Sequence, residues 1–138
     1  MIPTLEKVLA LKRTVFFRDV PSEELVHIAL VCEEVEFQAG QLILQEGLML
    51  DAMYIILEGH VQLTKETKEV VLIAPQETIG EFAFLDSEPV LLSFVAKEDV
   101  RALRLHREDF WELLLSKSEV TRAVVRLLVK KIRASLGF

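Results

Sequence analysis

The spacing of apolar residues changes twice along the chain, and each change predicts a change of secondary structure. Residues 5–17 and 25–31 carry apolar side chains at intervals of three and four, which is typical of amphipathic helices. Helical spacing returns at residue 106 and continues to the end of the chain. We therefore expect helices within about 5–32 and two further helices within about 106–136.

The middle of the chain, residues 33–105, consists of short runs rich in Val, Ile, Leu and Tyr that Gly and Pro separate. Within one run, Met53, Ile55 and Leu57 occupy every second position, as on one face of a strand. This pattern predicts a mainly β fold, an antiparallel roll or sandwich with flanking helices. The predicted strands lie near 33–38, 42–45, 53–57, 60–66, 69–73, 91–96 and 100–105.

Length and composition indicate how many domains to expect. A chain of 138 residues with 51% hydrophobic content can bury one core of ordinary size. The sequence contains no repeat and no linker rich in Gly, Ser or Pro. We therefore expect one domain over residues 1–138.

Charge and cysteine content narrow the class of protein. The net charge of -6 disfavours broad attraction to nucleic acid. A single cysteine, Cys32, forms no internal disulfide, which indicates a reducing compartment. The N-terminus lacks a basic start followed by an apolar run, and no window is long enough for a membrane span. We therefore expect a cytoplasmic chain with no membrane span.

Four segments in a fixed order carry a family resemblance. Residues 37–47 read FQAGQLILQEG and residues 51–61 read DAMYIILEGHV, with three glycines at matching spacing. Residues 79–85 read IGEFAFL, and residues 105–110 read LHREDF. Taken together, these segments resemble the cyclic-nucleotide-binding domain family, to which catabolite activator protein and the protein kinase A regulatory subunit belong.

The resemblance implies a fold and a ligand site. It implies a β-roll of the double-stranded β-helix or jelly-roll type, with N-terminal helices and two C-terminal helices. In relatives that bind a cyclic nucleotide, backbone amides at the start of a short helix meet the cyclic phosphate, and a glutamate holds the ribose hydroxyl. On this chain the resemblance assigns these roles to Gly80, Glu81, Phe82 and Ala83.

The chain departs from the family pattern at the anion site. Val90 stands where binding relatives carry an arginine, and Leu91 stands where they carry a small or hydroxylated residue. An arginine supplies a permanently charged fork for phosphate oxygens, which an apolar side chain cannot replace. Ser93 alone keeps a hydroxyl near the pattern. We expect Leu91 and Leu92 to fill part of the cavity.

Two of the retained residues also have simpler interpretations. Glu81 recognises ribose in one interpretation, and in the other its carboxylate binds nearby backbone amides or a surface cation. Gly80 allows a close approach to ligand in one interpretation, and in the other it provides the backbone geometry of a turn. Gln76 stands where relatives often have a turn glycine just before the segment that matches residues 79–85.

Catalysis, metal binding and DNA binding lack candidate residues. No nucleophile lies at a suitable spacing from a base, and there is no Walker-type loop. His27, His60 and His106 lie on different predicted elements, so no metal site is expected. We expect a protein that is not an enzyme, requires no cofactor and carries no DNA-binding domain in this chain.

The last predicted helix leaves two alternatives open. Its apolar stripe could pack against the roll, or it could pack against the same helix of a second copy in a homodimer, as in related transcription regulators. The basic residues between Lys117 and Arg133 could form a solvated face or bind an anionic partner. The stripe consists of Val120, Val124, Leu127, Leu128 and Ile132.

Two functional hypotheses follow. The first is a regulatory module that is impaired in cyclic nucleotide binding, or lacks it, and acts through conformational or protein–protein regulation of a larger protein or partner. The alternative is a working small-ligand sensor that binds cAMP, cGMP or a less charged ligand in the same pocket.

Overall fold

The computed structural model describes residues 2–65 and 68–138, and the side chains of residues 65, 68–70, 82 and 83 lie outside the described part. The helices are α1 (Thr4–Lys12), α2 (Ser22–Val31), α3 (Glu81–Asp86), α4 (Arg107–Ser116) and α5 (Ser118–Ser135). The strands are β1 (Glu33–Phe37), β2 (Leu42–Leu44), β3 (Ala52–Glu58), β4 (Val61–Lys65), β5 (Lys68–Ile73), β6 (Thr78–Ile79), β7 (Ser93–Ala96) and β8 (Val100–His106).

The strands form two four-stranded antiparallel sheets. One sheet has the order β1-β8-β3-β6, and the other has the order β2-β7-β4-β5. Strands distant in sequence therefore pair, as where Met53 of β3 lies opposite Leu105 of β8. The predicted mainly β roll with helices at both ends is confirmed. The prediction missed β6, which is only two residues long.

Alternation of buried and accessible side chains is visible in β7 and at the start of β8, whereas β3 is buried from Ala52 to Ile56. In β7, Phe94 and Ala96 are buried while Ser93 and Val95 are half-buried. In β8, buried Val100 and Ala102 alternate with the partly exposed Arg101. Such a period of two places apolar side chains on one face of a pleated strand. The buried residues of both sheets and of the helices belong to one hydrophobic cluster.

Four phenylalanines connect the ends of the chain to α3. Phe16 and Phe17 lie between α1 and α2, with ring centroids 4.8 Å apart and a nearly perpendicular arrangement. Phe110 of α4 contacts both, at 6.4 Å and 6.1 Å. It also contacts Phe84 of α3 at 5.3 Å. This group, which we call the aromatic cluster, joins the N-terminal helices, α4 and α3.

The final helix has two apolar faces. Val120, Val124 and Leu127 of the predicted stripe are buried, but Leu128 is only half-buried and Ile132 is exposed. The predicted stripe therefore divides, and its first part packs on the rest of the domain. Ile132 belongs instead to a second, exposed row. That row consists of Val125, Val129, Ile132 and Leu136, the last of which directly follows the end of α5.

Hydrophobicity of the helices bears on membrane insertion. α5 is the longest described helix, with 18 residues, and charged side chains interrupt it repeatedly. A membrane-crossing helix needs about 20 consecutive, mainly apolar residues. No helix in the described part of the chain meets the requirements of length and apolarity for crossing a membrane.

Candidate functional site

A short ladder between two loops fixes the position of Val90. Its N–H donates to the carbonyl of Leu48 at 3.0 Å, and its own carbonyl accepts from the N–H of Gly47 at 2.8 Å. The Val90 side chain is 5% exposed. The backbone therefore holds in place the residue that the resemblance aligns with the family's arginine, and its apolar side chain is buried.

Gly80 lies directly before α3 in a conformation that favours glycine. Its φ is 84°, in the left-handed region. A Cβ added at this position would lie 2.6 Å from Cδ2 of Leu50 and 3.3 Å from Cδ1 of Leu44. Turn geometry and close packing therefore both account for glycine here.

Glu81 is the first residue of α3, and its carboxyl is largely buried. Burial raises the pKa of this carboxyl above its ordinary value. Hydrogen bonds from its own backbone N–H and from the Thr78 side chain act in the opposite direction. The charge of Lys131 on α5 also lowers the pKa, whereas Glu77 raises it. The carboxyl thus has local partners, and α5 carries a positive charge close to it.

Helix α3 is anchored on both sides. At its start, the N–H of Phe84 donates to the carbonyl of Gly80 at 3.0 Å. The Phe84 side chain is fully buried and contacts Phe110 of the aromatic cluster. Phe82 and Ala83, which the sequence also predicts as site residues, lie in α3, but their side chains are outside the described part. A movement of α3 would therefore change the packing of Phe84 against Phe110 on α4.

A cavity of about 560 Å³ opens beside α3. Its walls are mainly apolar side chains, together with three carboxylates, Glu81, Asp86 and Glu88. No Lys, Arg or His is among its described lining residues. The other lining residues are Leu63, Ile73, Thr78, Ile79, Gly80, Pro89, Val90, Leu91, Leu92 and Phe94.

The expected filling of the cavity by leucines is wrong for Leu91. This side chain is 79% exposed and lies at the edge of the opening. Leu92 is half-buried and contributes to the wall. The two residues are adjacent in sequence but differ greatly in exposure, and only Leu92 packs into the wall. The cavity therefore stays open.

The remaining predicted site residue, Ser93, has a different neighbour. Its Oγ accepts a hydrogen bond from the N–H of Glu46 at 3.0 Å. Ser93 is not among the described residues that line the cavity. Its hydroxyl therefore fixes the loop that precedes Gly47. The structure brings Gly80, Glu81, Val90 and Leu91 together at the cavity, and Ser93 is not among its described lining residues.

Several lining residues had no signal in the sequence pattern. Asp86 is the last residue of α3 and Glu88 follows the helix, and both are exposed, as solvated carboxylates usually are. Leu63 and Ile73 lie on β4 and β5, far along the chain from α3. Only the pairing of the strands reveals that they face the same cavity. Their membership could be inferred from the fold, and not from a local motif.

The histidines and the cysteine do not form a site with the cavity. His60 pairs with Glu98, and Nε2 of His106 lies 2.6 Å from Glu33. No group of three or more His, Cys, Asp or Glu residues arranged to hold a metal is found in the described part. Cys32 is buried, and burial raises the pKa of its thiol to about 12. Such a thiol stays protonated and unreactive near neutral pH.

Comparison with known proteins gives consistent matches. The family model for the cyclic nucleotide-binding domain matches residues 34–117. The cAMP-dependent protein kinase regulatory subunit of Aspergillus fumigatus is 34% identical over 101 residues, which is 72% of this chain and 24% of that protein. The chain spans only part of such relatives, for example 59% of the CRP-like cAMP-activated global transcriptional regulator of Mycobacterium tuberculosis and 14% of the potassium channel SKOR of Arabidopsis thaliana.

Two solved structures are also similar to the structure of this chain. The N-terminal domain of a transcriptional regulator from Streptomyces coelicolor superposes with a TM-score of 0.83 and 26% identity, covering 93% of each chain. The regulatory subunit of a cAMP-independent protein kinase A from Trypanosoma brucei, in a triply substituted form bound to cAMP, gives a TM-score of 0.75 and 27% identity. That match covers 80% of this chain and 41% of the other.

Proposed function

The chain belongs to the cyclic nucleotide-binding domain family, and we propose that it is a regulatory module of this family impaired in cyclic nucleotide binding. In this proposal it acts on a larger protein or a partner through conformational change and its surface. The observation that carries the proposal is the composition of the cavity wall, which combines three carboxylates with no described cation.

The energetic argument concerns the phosphate. A cyclic phosphate is an anion, and the buried Val90 offers it neither a charge nor a hydrogen bond. Loss of one partner of a buried charge pair costs roughly 2–5 kcal/mol. This corresponds to a loss of about thirtyfold to several thousandfold in affinity. Repulsion from Asp86 and Glu88 adds to that loss.

One similar protein supports this interpretation. The Trypanosoma brucei kinase described as cAMP-independent is bound to cAMP in a form with three substitutions. Two of them are adjacent and introduce an arginine followed by an alanine. Those are the residue types that the family resemblance leads us to expect where Val90 and Leu91 stand here.

We expect calorimetric titration of the chain with cAMP and with cGMP to give no heat of specific binding at micromolar ligand concentrations. The reason is the missing countercharge at Val90 together with the three carboxylates. A parallel titration of a cAMP-binding protein kinase A regulatory subunit checks the ligand stocks. A micromolar dissociation constant for either nucleotide would overturn the proposal and support the alternative, a cyclic nucleotide sensor.

One specific observation supports the alternative hypothesis of a small-ligand sensor. Gly80 and Glu81 keep the family's residue types, and the cavity between α3 and the strands is open. A sensor that binds a cyclic nucleotide or a less charged ligand would use these same groups. Calorimetric titration with cAMP and cGMP separates the two hypotheses for cyclic nucleotides. Only a protein that binds a cyclic nucleotide gives a binding isotherm.

We also propose that regulation involves pairing of two copies through α5. The exposed row of Val125, Val129, Ile132 and Leu136 has intervals of four, three and four residues, which is the spacing of a coiled-coil seam. With that seam, Arg126 and Arg133 lie along one flank only. Two parallel helices then place these arginines opposite uncharged residues of the second copy, whereas antiparallel helices would bring the two arginine flanks together. Charge therefore favours the parallel pair.

Replacing Ile132 with glutamate should weaken self-association about tenfold or more, because it buries an unpaired charge in the centre of the seam. Ile132 is exposed in the single chain, so the fold should be retained. Sedimentation equilibrium measures the dissociation constant. The control is Leu30→Glu, which changes an exposed leucine of α2 in the same way. A wild-type chain that is monomeric at high micromolar concentration would refute the pairing.

A further inference from the structure

The charge of the cavity beside α3 suggests which ligand it accepts. The carboxyl of Glu81 is largely buried, while Asp86 and Glu88 are exposed, and all three line the cavity. Asp86 accepts a hydrogen bond from the backbone N–H of Glu88 at 3.0 Å, so these two residues form one compact acidic rim. The cavity is thus lined by one largely buried carboxyl and two exposed carboxylates.

Nearby cations do not reverse this charge. Lys131 on α5 lies close enough to affect Glu81, and Glu77 opposes that effect. Arg107 bonds the Ser87 hydroxyl between the two rim carboxylates, but it lines a separate cavity with Trp111. Among the described residues, the walls of the cavity beside α3 therefore present negative charge only.

The rest of the wall is apolar. Leu63, Ile73, Val90, Leu92 and Phe94 surround the space between the strands and α3. Burial of an apolar ligand body against such side chains is favourable in proportion to the area removed from water. The volume of about 560 Å³ falls within the usual size of ligand pockets, roughly 300–1,000 Å³.

Building on the proposed impairment of cyclic nucleotide binding, we propose that this cavity binds an organic cation, a protonated amine carried on an apolar body of one or two rings. The apolar body lies against the leucine and phenylalanine wall. The ammonium donates to the carboxylate of Glu81, and Asp86 and Glu88 attract it to the opening. The same three groups repel anions, so selectivity follows from the sign of charge.

Three matched compounds test this proposal directly. 4-Phenylbutylamine, 4-phenylbutanol and 4-phenylbutanoate share one apolar body and differ mainly in charge. Protein-detected NMR titration of the isotope-labelled chain gives a dissociation constant for each compound and shows whether the amides of Gly80, Glu81 and Leu92 respond. We expect the amine to bind about tenfold or more tightly than the carboxylate, with the alcohol between them.

Substitutions connect the selectivity to the cavity. Glu81→Gln keeps the size and a hydrogen-bond acceptor but removes the charge, and it should weaken amine binding about fivefold or more while changing alcohol binding less than about twofold. The control is Glu77→Gln, because Glu77 carries the same charge nearby but is not among the described lining residues. That variant should change amine binding less than about twofold. Melting curves confirm that both variants are folded.

The outcomes are separable. Equal or tighter binding of the carboxylate would overturn the proposal, and so would the absence of amine-induced shifts at Gly80, Glu81 and Leu92. An amine that binds equally well to Glu81→Gln would also overturn it. Failure of the amine together with failure of cAMP refutes only this ligand class. Micromolar binding of cAMP instead refutes the proposed function on which it rests.

Discussion

Replacement of Phe110 with alanine is expected to lower the free energy of unfolding by about 3–5 kcal/mol. Phe110 is 0% exposed, and its ring contacts Phe16, Phe17 and Phe84. Truncation removes a large buried side chain and leaves a cavity between α4, α3 and the connection of α1 to α2. A domain of this size has a total stability of about 5–15 kcal/mol, so the variant should be close to unfolding at 37 °C.

Denaturation by urea measures the change, with the far-ultraviolet circular dichroism signal as readout. Leu115→Ala is the control, because Leu115 lies on the same helix and is 87% exposed. Its effect should stay within about 0.5 kcal/mol. A loss below about 1 kcal/mol for Phe110→Ala would contradict the role of the aromatic cluster as a principal packing site.

The aromatic cluster also gives the proposed module a physical route for regulation. α3 forms one wall of the cavity, and Phe84 of α3 contacts Phe110 of α4. α4 leads directly into α5, whose exposed row is the proposed seam between copies. A ligand that moves α3 therefore biases the position of the terminal helices, provided that it binds the two positions with different affinity.

Much of the roll could be predicted because its strands have clear local signals. The alternation of Met53, Ile55 and Leu57 predicted β3, which the structure extends by one residue at each end. β6 was missed because two residues, Thr78 and Ile79, are too few to show a period of two. That strand is held by its pairing with Tyr54 and Ile55, which are far from it in sequence.

The cavity could be predicted in its location and not in its shape. The resemblance led us to consider Leu91 a filler, but the exposure of a residue in a loop depends on the path of its backbone. Here the ladder of Val90 with Gly47 and Leu48 fixes that path and places Leu91 outside. The same dependence on fold applies at Gln76. Gln76 has a φ of 73°, in the left-handed region, at the position where the resemblance suggests a turn glycine.

The double substitution Val90→Arg with Leu91→Ala is expected to raise the affinity for cAMP by about thirtyfold to several thousandfold. Val90 already lines the cavity with its backbone fixed by two hydrogen bonds, so a longer side chain at this position extends into the same space. Its guanidinium provides a planar fork with five donors for phosphate oxygens. The alanine removes the bulk of Leu91 at the opening.

Calorimetric titration with cAMP measures this gain, and Leu48→Arg is the matched control. Leu48 is exposed in the loop that pairs with Val90 and is not among the described lining residues, so its substitution adds the same charge outside the cavity. We expect this control to change the affinity less than about threefold, since an exposed charge is well screened.

The size of the gain also tests the proposed cause of impaired cAMP binding. Asp86 and Glu88 compete with phosphate for the introduced guanidinium, which favours the lower end of the range. Adding Glu88→Gln to the double variant should then raise the affinity further, because one competitor is neutral. A folded double variant that binds no cAMP would show that the missing arginine is not the main defect. The carboxylates of the cavity would then be the dominant cause of impaired cAMP binding. In that case, adding Glu88→Gln to the double variant should restore binding.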